Sequence, residues 1–208
     1  MAYIWCDSTD SLQDWAEGLA PDQPLYLDTE FMREKTYYPR LALVQVHDGE
    51  RIRLIDTTRI DPSALVPLFA ERPLIMHACS EDLEALAAFA GAYPEQARDT
   101  QIAAALTGED MQVGYQRLVD SRLGVNLPKG ATRTDWLKRP LSDEQIETLF
   151  AYRPPRVRQY IEALWSAPFL PPDPPELLLL ALSRVMLLAL RRYYLSFYKQ
   201  YQTLHSNK

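Results

Sequence analysis

Between residues 24 and 79 the apolar positions fall in short runs of strand length. They are residues 24–31 (PLYLDTEF), 41–47 (LALVQVH), 51–56 (RIRLID) and 74–79 (LIMHAC), each bounded by turn residues, and they predict four strands. An Asp-Gly pair within His47-Asp48-Gly49-Glu50 separates the second run from the third. That pair tolerates the positive φ of a tight turn, so a hairpin is expected and the first strands should be antiparallel. After Ile60 helices begin to alternate with strands: residues 62–70 read as a helix with Pro62 in its first turn, then comes LIMHAC, then a helix over 80–90 capped by Ser80. This wiring calls for parallel neighbours under a helical layer, and with the hairpin it predicts a mixed sheet.

From Thr100 onward the pattern is helical, over residues 100–106 and 114–123 and again from about Ser142, where LSDEQ supplies a cap followed by early acids. Pro154 and Pro155 interrupt that last helix, and residues 168–175 (PFLPPDPP) hold five prolines in eight positions, a composition that excludes helix and central strand. The organisation expected is one α/β domain over residues 1–166, a Pro-rich linker over 167–176 and an apolar helical tail over 177–208. Residues 177–190 are apolar at 12 of 14 positions. As a helix they would span about 21 Å, short of the roughly 30 Å hydrocarbon core, so a packed helix is expected there and no membrane span.

Composition narrows the function classes. The chain has 208 residues, 47% of them hydrophobic and 24% charged, which is globular and not disordered. Its two cysteines, Cys6 and Cys79, have no metal-ligand spacing, so a disulfide framework and a structural zinc site are not expected. The first residues, MAYIWCDSTD, lack the basic and long apolar regions of a secretory signal, and a cytoplasmic location is the expectation. With 22 basic and 28 acidic residues the formal charge is −6, which argues against coating nucleic acid through bulk charge. Two local patches run the other way: Lys129, Arg133, Lys138 and Arg139 within KGATRTDWLKR, and Arg153, Arg156 and Arg158. They are either a solvated face or a guide for a polyanion.

The candidate chemistry lies in YLDTEF. Side chains two apart on a strand share a face, so Asp28 and Glu30 converge while Leu27, Thr29 and Phe31 face away. Two acids in an apolar strand are costly unless neutralised, and hard oxygen donors with no neighbouring His or Cys select Mg²⁺ or Mn²⁺ over zinc. Two solvated acids at a strand end would read the same way. A third carboxylate, Asp82 in HACSEDLEAL, falls in the first turn of the helix after LIMHAC. If that strand neighbours YLDTEF, Asp82 points back toward the pair, although it would also serve as a helix-dipole acid. His77 reads as a hydrogen-bonded structural histidine, and Glu81 and Glu84 as solvent-facing.

The blocks LDTEFMREKTYYPRLALVQVHDG, HACSEDLEAL, RDTQIAAAL and LPKGATRTDWLKRPLSDEQIE resemble, in this order, the exonuclease domain of ribonuclease D in the DEDD superfamily of 3′–5′ exonucleases, over about residues 1–147. The resemblance implies a ribonuclease-H-like mixed sheet flanked by helices, with a helical C-terminal part. It also implies two Mg²⁺ or Mn²⁺ ions and hydrolysis of RNA from its 3′ end, on substrates such as tRNA precursors. Asp28 and Glu30 would be ligands from the first motif and Asp82 from the second, with Glu30 also touching the terminal ribose 3′-hydroxyl. Phe31 and Met32 would stack against the last bases or pack in the core. The basic residues Lys129, Arg133, Lys138 and Arg139 would contact phosphates. A DNA proofreading exonuclease shares the acids but does not account for the TRTDWLKRPLS block.

The third motif departs from the family. A Tyr followed four positions later by an Asp should stand on the helix after PLSDEQIE, but the chain reads ETLFAYRPPRVRQYIEALW. Ungapped, Thr148 takes the Tyr position and Tyr152 the Asp position. Allowing an insertion, Tyr152 takes the Tyr position and Arg156 follows it. Neither register supplies the fourth carboxylate, for which Glu147 and Glu162 are the substitutes in reach. An inactivated relative kept for RNA binding or scaffolding, an altered coding frame near Thr148, and an active enzyme with a rearranged site all fit this pattern. The sequence does not fix the oligomeric state.

Overall fold

The four apolar runs form the middle of a six-stranded sheet. In a computed structural model of the chain, residues 3–34, 36–69, 72–106, 108–127 and 134–151 are described. All of them fall in the first of two units, Met1–Ala167 and Pro168–Lys208. The Pro-rich linker and the apolar tail lie outside the described residues.

In chain order the elements are β1 (Tyr3–Cys6), α1 (Thr9–Glu17), β2 (Leu25–Met32), β3 (Arg40–His47), β4 (Ile52–Asp56), a 3₁₀ turn (Pro62–Leu65) leading into α2 (Val66–Phe69), β5 (Leu74–Met76), α3 (Ser80–Ala90), β6 (Ala97–Asp99), α4 (Thr100–Leu106), α5 (Tyr115–Leu123) and α6 (Asp143–Ala151). The strand order is β1-β4-β3-β2-β5-β6. β2 runs antiparallel to β3, and β3 to β4. β1 is parallel to β4, β2 to β5, and β5 to β6. The expected mixed sheet is therefore present, and the strand bearing Asp28 and Glu30 is central and adjoins β5. The Asp48-Gly49 hairpin is also present: Gly49 has φ 100°, and Asp48 Oδ1 accepts the amides of Glu50 and Arg51.

The expected helix over 62–70 opens as a 3₁₀ turn, whose cap is Asp61 accepting from the Ser63 amide. α6 carries the full reciprocal cap that LSDEQ suggested: Gln145 N donates to Ser142 Oγ at 3.2 Å, and Ser142 N to Gln145 Oε1 at 2.8 Å. One capping expectation is corrected. Ser80 is the first residue of α3 and makes no cap; Cys79 precedes the helix without a side-chain bond. Asp99, at the end of β6, substitutes from across the sheet by accepting the Ala78 and Cys79 amides at 3.0 Å each.

The two faces of the sheet bury different cores. Leu25, Leu27, Leu41, Val44, Val46 and Ile55 pack with α1, α2 and α3 residues such as Leu12, Leu68, Phe69 and Leu86. Ala42, Leu43, Ile52 and Leu54 face Trp136 and Leu149. Consecutive Ala42 and Leu43 share this second face because the β2–β3 register slips between Glu30 and Phe31, the mark of a bulge. Arg139 fastens the 134–142 segment over that face. Its Nε and Nη2 reach the two oxygens of Asp56 at 2.7 and 2.8 Å, and Nη2 and Nη1 donate to the carbonyls of Ala42 and Trp136.

Candidate active site

Asp28 lies opposite Gln45 on β3 and Glu30 opposite Leu43, so both carboxylates project from the face covered by α6. Both are half-buried. Asp82 enters from the first turn of α3, brought alongside because β5, which feeds that helix, pairs with β2. Its Oδ1 accepts the Thr29 hydroxyl at 2.5 Å, so Thr29, a residue on the opposite side of β2 from the acid pair, orients the third acid. The sequence reading did not single out Thr29. A polar residue pointing toward an apolar core was the available signal.

Electrostatics marks the three acids as uncompensated. Burial and then the Asp82 charge push Asp28 up to about 7. Burial, followed by Asp28 and Asp82, pushes Glu30 up to about 9. Asp82 is also raised by burial, against the opposing bond from Thr29. Gln45, beside Asp28, donates Nε2 to the Leu149 carbonyl at 2.9 Å, while its buried Oε1 has no hydrogen-bond partner. Partly desolvated carboxylates and an orphaned amide oxygen are hard donors of the type that suits Mg²⁺ or Mn²⁺. Among the described residues, however, no three acidic, histidine or cysteine side chains form a closed cation cage. Thr29 draws Asp82 toward the side of β2 away from the pair, so closing a cage needs that carboxylate to turn.

The shell around α3 rests on His77, which the sequence singled out, and on Asp99, which it did not. His77 is structural, as expected: Nε2 donates to the Val113 carbonyl at 3.0 Å and Nδ1 lies 2.9 Å from the Thr100 hydroxyl, and burial lowers its pKa. Asp99, quoted only within a family block, receives the amides of Ala78, Cys79 and Gln101. It thereby holds Ala78 at φ 53°, a left-handed conformation that a non-glycine residue adopts at a cost. That turn sets where α3, and with it Asp82, begins.

The remaining candidates separate. Phe31 packs with the larger core and Met32 with the smaller, each half-buried. Lys138 is exposed. Arg139, expected at the RNA backbone, is turned inward onto Asp56 and two carbonyls. Glu81 and Glu84 face solvent as expected, and there both pair with Arg33. Glu147 is exposed, and Thr148 is buried, donating to the Glu144 carbonyl at 2.8 Å. Lys129, Arg133, Tyr152, Arg153, Arg156, Arg158 and Glu162 lie outside the described residues.

A pH dependence follows from the acids. A carboxyl whose folded pKa is raised binds its proton more tightly when folded, so metal-free stability is highest below the unfolded values near 4 and falls as pH rises through about 7 and 9. Chemical denaturation in chelator should show a loss of up to about 8 kcal/mol between pH 5 and 9, from about two tenfold steps in proton affinity at Asp28 and about four at Glu30, each worth about 1.4 kcal/mol. Addition of Mn²⁺ at pH 8 should restore much of it. A flat profile would mean the acids are not buried together.

Comparison with known proteins assigns this domain to a nuclease class. A family model described as 3′-5′ exonuclease matches residues 3–152, and the chain belongs to that family. Within it the domain is of the ribonuclease D type. The chain is 40% identical over 150 residues to ribonuclease D of Escherichia coli, covering 71% of this chain and 40% of that one. It is 41% identical over 173 residues to ribonuclease D of Musicola paradisiaca, covering 80% and 46%. The crystal structure of the Escherichia coli enzyme, described as an exoribonuclease involved in structured RNA processing, superposes with TM-score 0.76 at 36% identity, over 92% of this chain and 51% of that one. The Nibbler EXO domain of Aedes aegypti shares the fold, with TM-score 0.64 at 21% identity over 85% and 93% of the two chains. The chain thus spans less than half the length of the curated relatives it matches. Among the described residues no helix is long and apolar enough to cross a membrane.

Proposed function

We propose that this domain is a divalent-metal-dependent 3′–5′ exoribonuclease that shortens 3′ tails of structured RNA, tRNA precursors among them, in the cytoplasm. The observation carrying this reading is the cluster of Asp28, Glu30 and Asp82, three uncompensated acids on adjoining elements of a 3′–5′ exonuclease fold. Asp28, Glu30 and a reoriented Asp82 would hold Mg²⁺ or Mn²⁺, two ions in the family, which when bound would activate water and stabilise the leaving 3′-oxygen. The chain's own groups prepare that site. The strand fixes the Asp28–Glu30 spacing, the Asp99-held turn sets the start of α3, and the Thr29 hydroxyl keeps Asp82 from pointing into solvent. Glu30 would also accept from the terminal ribose 3′-hydroxyl.

The test is the product: a single-stranded RNA labelled at its 3′ end should yield labelled nucleoside 5′-monophosphate first. Activity should be weak in Mg²⁺ and higher in Mn²⁺, which binds such donors more tightly. Substituting Thr148→Tyr with Tyr152→Asp should raise it. Internal fragments appearing first would contradict the reading. Retention of the fold for RNA binding without catalysis is the second reading. It is favoured by Thr148, whose buried hydroxyl is engaged with its own helix and supplies no carboxylate, and robust Mg²⁺-dependent release would end it.

Phosphate contact along the basic segment falls to Lys138 among the described candidates, because the Arg139 donors are taken. Lys138→Ala should weaken single-stranded RNA binding and lower the log–log salt slope by about 0.7, one phosphate on a single strand. Titrations at several salt concentrations check this, and an unchanged slope removes Lys138 from the RNA path.

A further inference from the structure

Large exposed apolar side chains cluster at one place. Among the described residues the exposed aromatics are Tyr3, Tyr37, Tyr38 and Tyr93; Tyr37 and Tyr38 stand together in the β2–β3 connection, and Tyr93 follows the end of α3. Tyr37 is 77% exposed, Tyr38 45% and Tyr93 55%. The Tyr37 and Tyr38 rings stand edge to face with centroids 4.9 Å apart and an interplanar angle of 84°. Tyr93 is close enough to Tyr38 and Glu84 that, after partial burial, both help raise its hydroxyl pKa. The loop has its own framework: Thr36 Oγ1 donates to the Tyr38 carbonyl at 2.8 Å, and Arg33 bridges to Glu81 and Glu84 on α3. Thr36 and Tyr38 are thus tied together beside the Arg33 bridge to α3.

We propose that Tyr37, Tyr38 and Tyr93 form a stacking platform for bases of single-stranded RNA upstream of the 3′ end held at Asp28 and Glu30. The inference rests on the functional reading above and adds a substrate contact to it. Two observations favour RNA as the occupant. First, the platform is continuous with the acid strand: Met32 pairs with Arg40 at the end of the β2–β3 ladder, so the loop begins only two residues beyond Glu30. At 3.3 Å per residue the strand carries the chain about 7–10 Å past Glu30 before the loop starts, so bases about three to five nucleotides from the 3′ end, at a stacked spacing of about 3.4 Å, are the ones expected to reach the rings.

Second, the patch suits bases better than a protein partner. Three tyrosines bury at most about 150–250 Å² each, below the roughly 800 Å² per partner of a stable protein interface. Flat amphipathic rings are, however, sufficient to hold individual bases regardless of sequence.

The experiment measures binding of a fluorescent single-stranded RNA decamer in chelator, where nothing is cleaved. Tyr37→Ala, Tyr38→Ala and Tyr93→Ala are compared with the corresponding Phe variants. Each Ala variant should lose about 5- to 100-fold, from 1–3 kcal/mol per stacked base at 1.4 kcal/mol per tenfold. The Phe variants should stay within about twofold, and the salt slope should not change, because no phosphate contact is lost. A decamer with one abasic position three to five nucleotides from its 3′ end should bind the unmodified protein weakly, and the Tyr→Ala change should then cost nothing further. Binding of a dinucleotide, too short to reach the rings, should ignore all three substitutions. Decamer affinity equal in the Ala variants, or an abasic penalty indifferent to the tyrosines, overturns the inference while leaving the functional reading standing. So does a loss of self-association in the Ala variants with RNA binding intact, which would make the patch a contact between copies. No decamer binding by the unmodified chain overturns both.

Discussion

Asp28→Asn should eliminate metal-dependent release of nucleotides from an RNA 3′ end while making the metal-free protein more stable. The two effects have one origin. The carboxylate belongs to the acid cluster on β2, and a ligand that helps a cation stabilise transition-state charge is worth several kcal/mol, about 10²- to 10⁴-fold in rate at 1.36 kcal/mol per tenfold. Without metal the same charge is a liability, since burial and Asp82 push it up to about 7. Asparagine keeps the shape and removes the charge, so at pH 8 stability in chelator should rise by about 1–3 kcal/mol. Glu30, relieved of a neighbouring charge, should titrate lower than about 9. Activity assays and denaturation on the same preparation check both halves. A loss of activity accompanied by a loss of stability would point to misfolding.

Asp56→Ala should be among the most destabilising single substitutions in the domain. Asp56 is 2% exposed, and its two oxygens receive Arg139 Nε and Nη2. Burial works against its charge, yet the bonds from Arg139 and Thr58 hold its carboxyl below the ordinary range. Removing one partner of a buried pair strands the other and costs about 3–5 kcal/mol, a large part of an ordinary domain's 5–15 kcal/mol. A fall in melting temperature of roughly 10 °C is expected. The contribution is present above the unfolded pKa near 4 and is lost as pH falls through the lowered folded value. Arg139→Met should cost a similar amount, and the double variant less than the sum. Additive costs would mean the contact carries no energy.

Much of this architecture was legible because local patterns agreed with the tertiary result. β3 is buried along nearly its whole length and reads as an unbroken apolar run, while the Asp-Gly turn and the Ser142–Gln145 box are local chemistry. β1 and β6 escaped notice for the opposite reason. Tyr3–Cys6 is a four-residue edge strand and Ala97–Asp99 reads only ARD, so pairing with neighbours, and no periodicity of their own, makes them strands. The Asp28–Glu30 pair was legible from the period of two. The Thr29 bond to Asp82 and the Asp99 clamp were not, since each joins residues far apart in sequence. Arg139 shows the limit of charge counting: a cation in a basic run faced inward because an acid 83 positions away lay buried beneath it.

Calorimetric titration of Mn²⁺ at pH 8 into the unmodified protein and the Asp28→Asn variant tests the central claim most directly, because it asks whether these acids form a cation site without requiring turnover. Protonated acids must ionise to bind metal, so the unmodified protein should bind Mn²⁺ with release of protons, read from the dependence of the heat on buffer ionisation enthalpy. The variant should bind much more weakly and release fewer. Equal Mn²⁺ binding by both proteins, or none by either, would contradict the assignment of Asp28, Glu30 and Asp82 as the metal site.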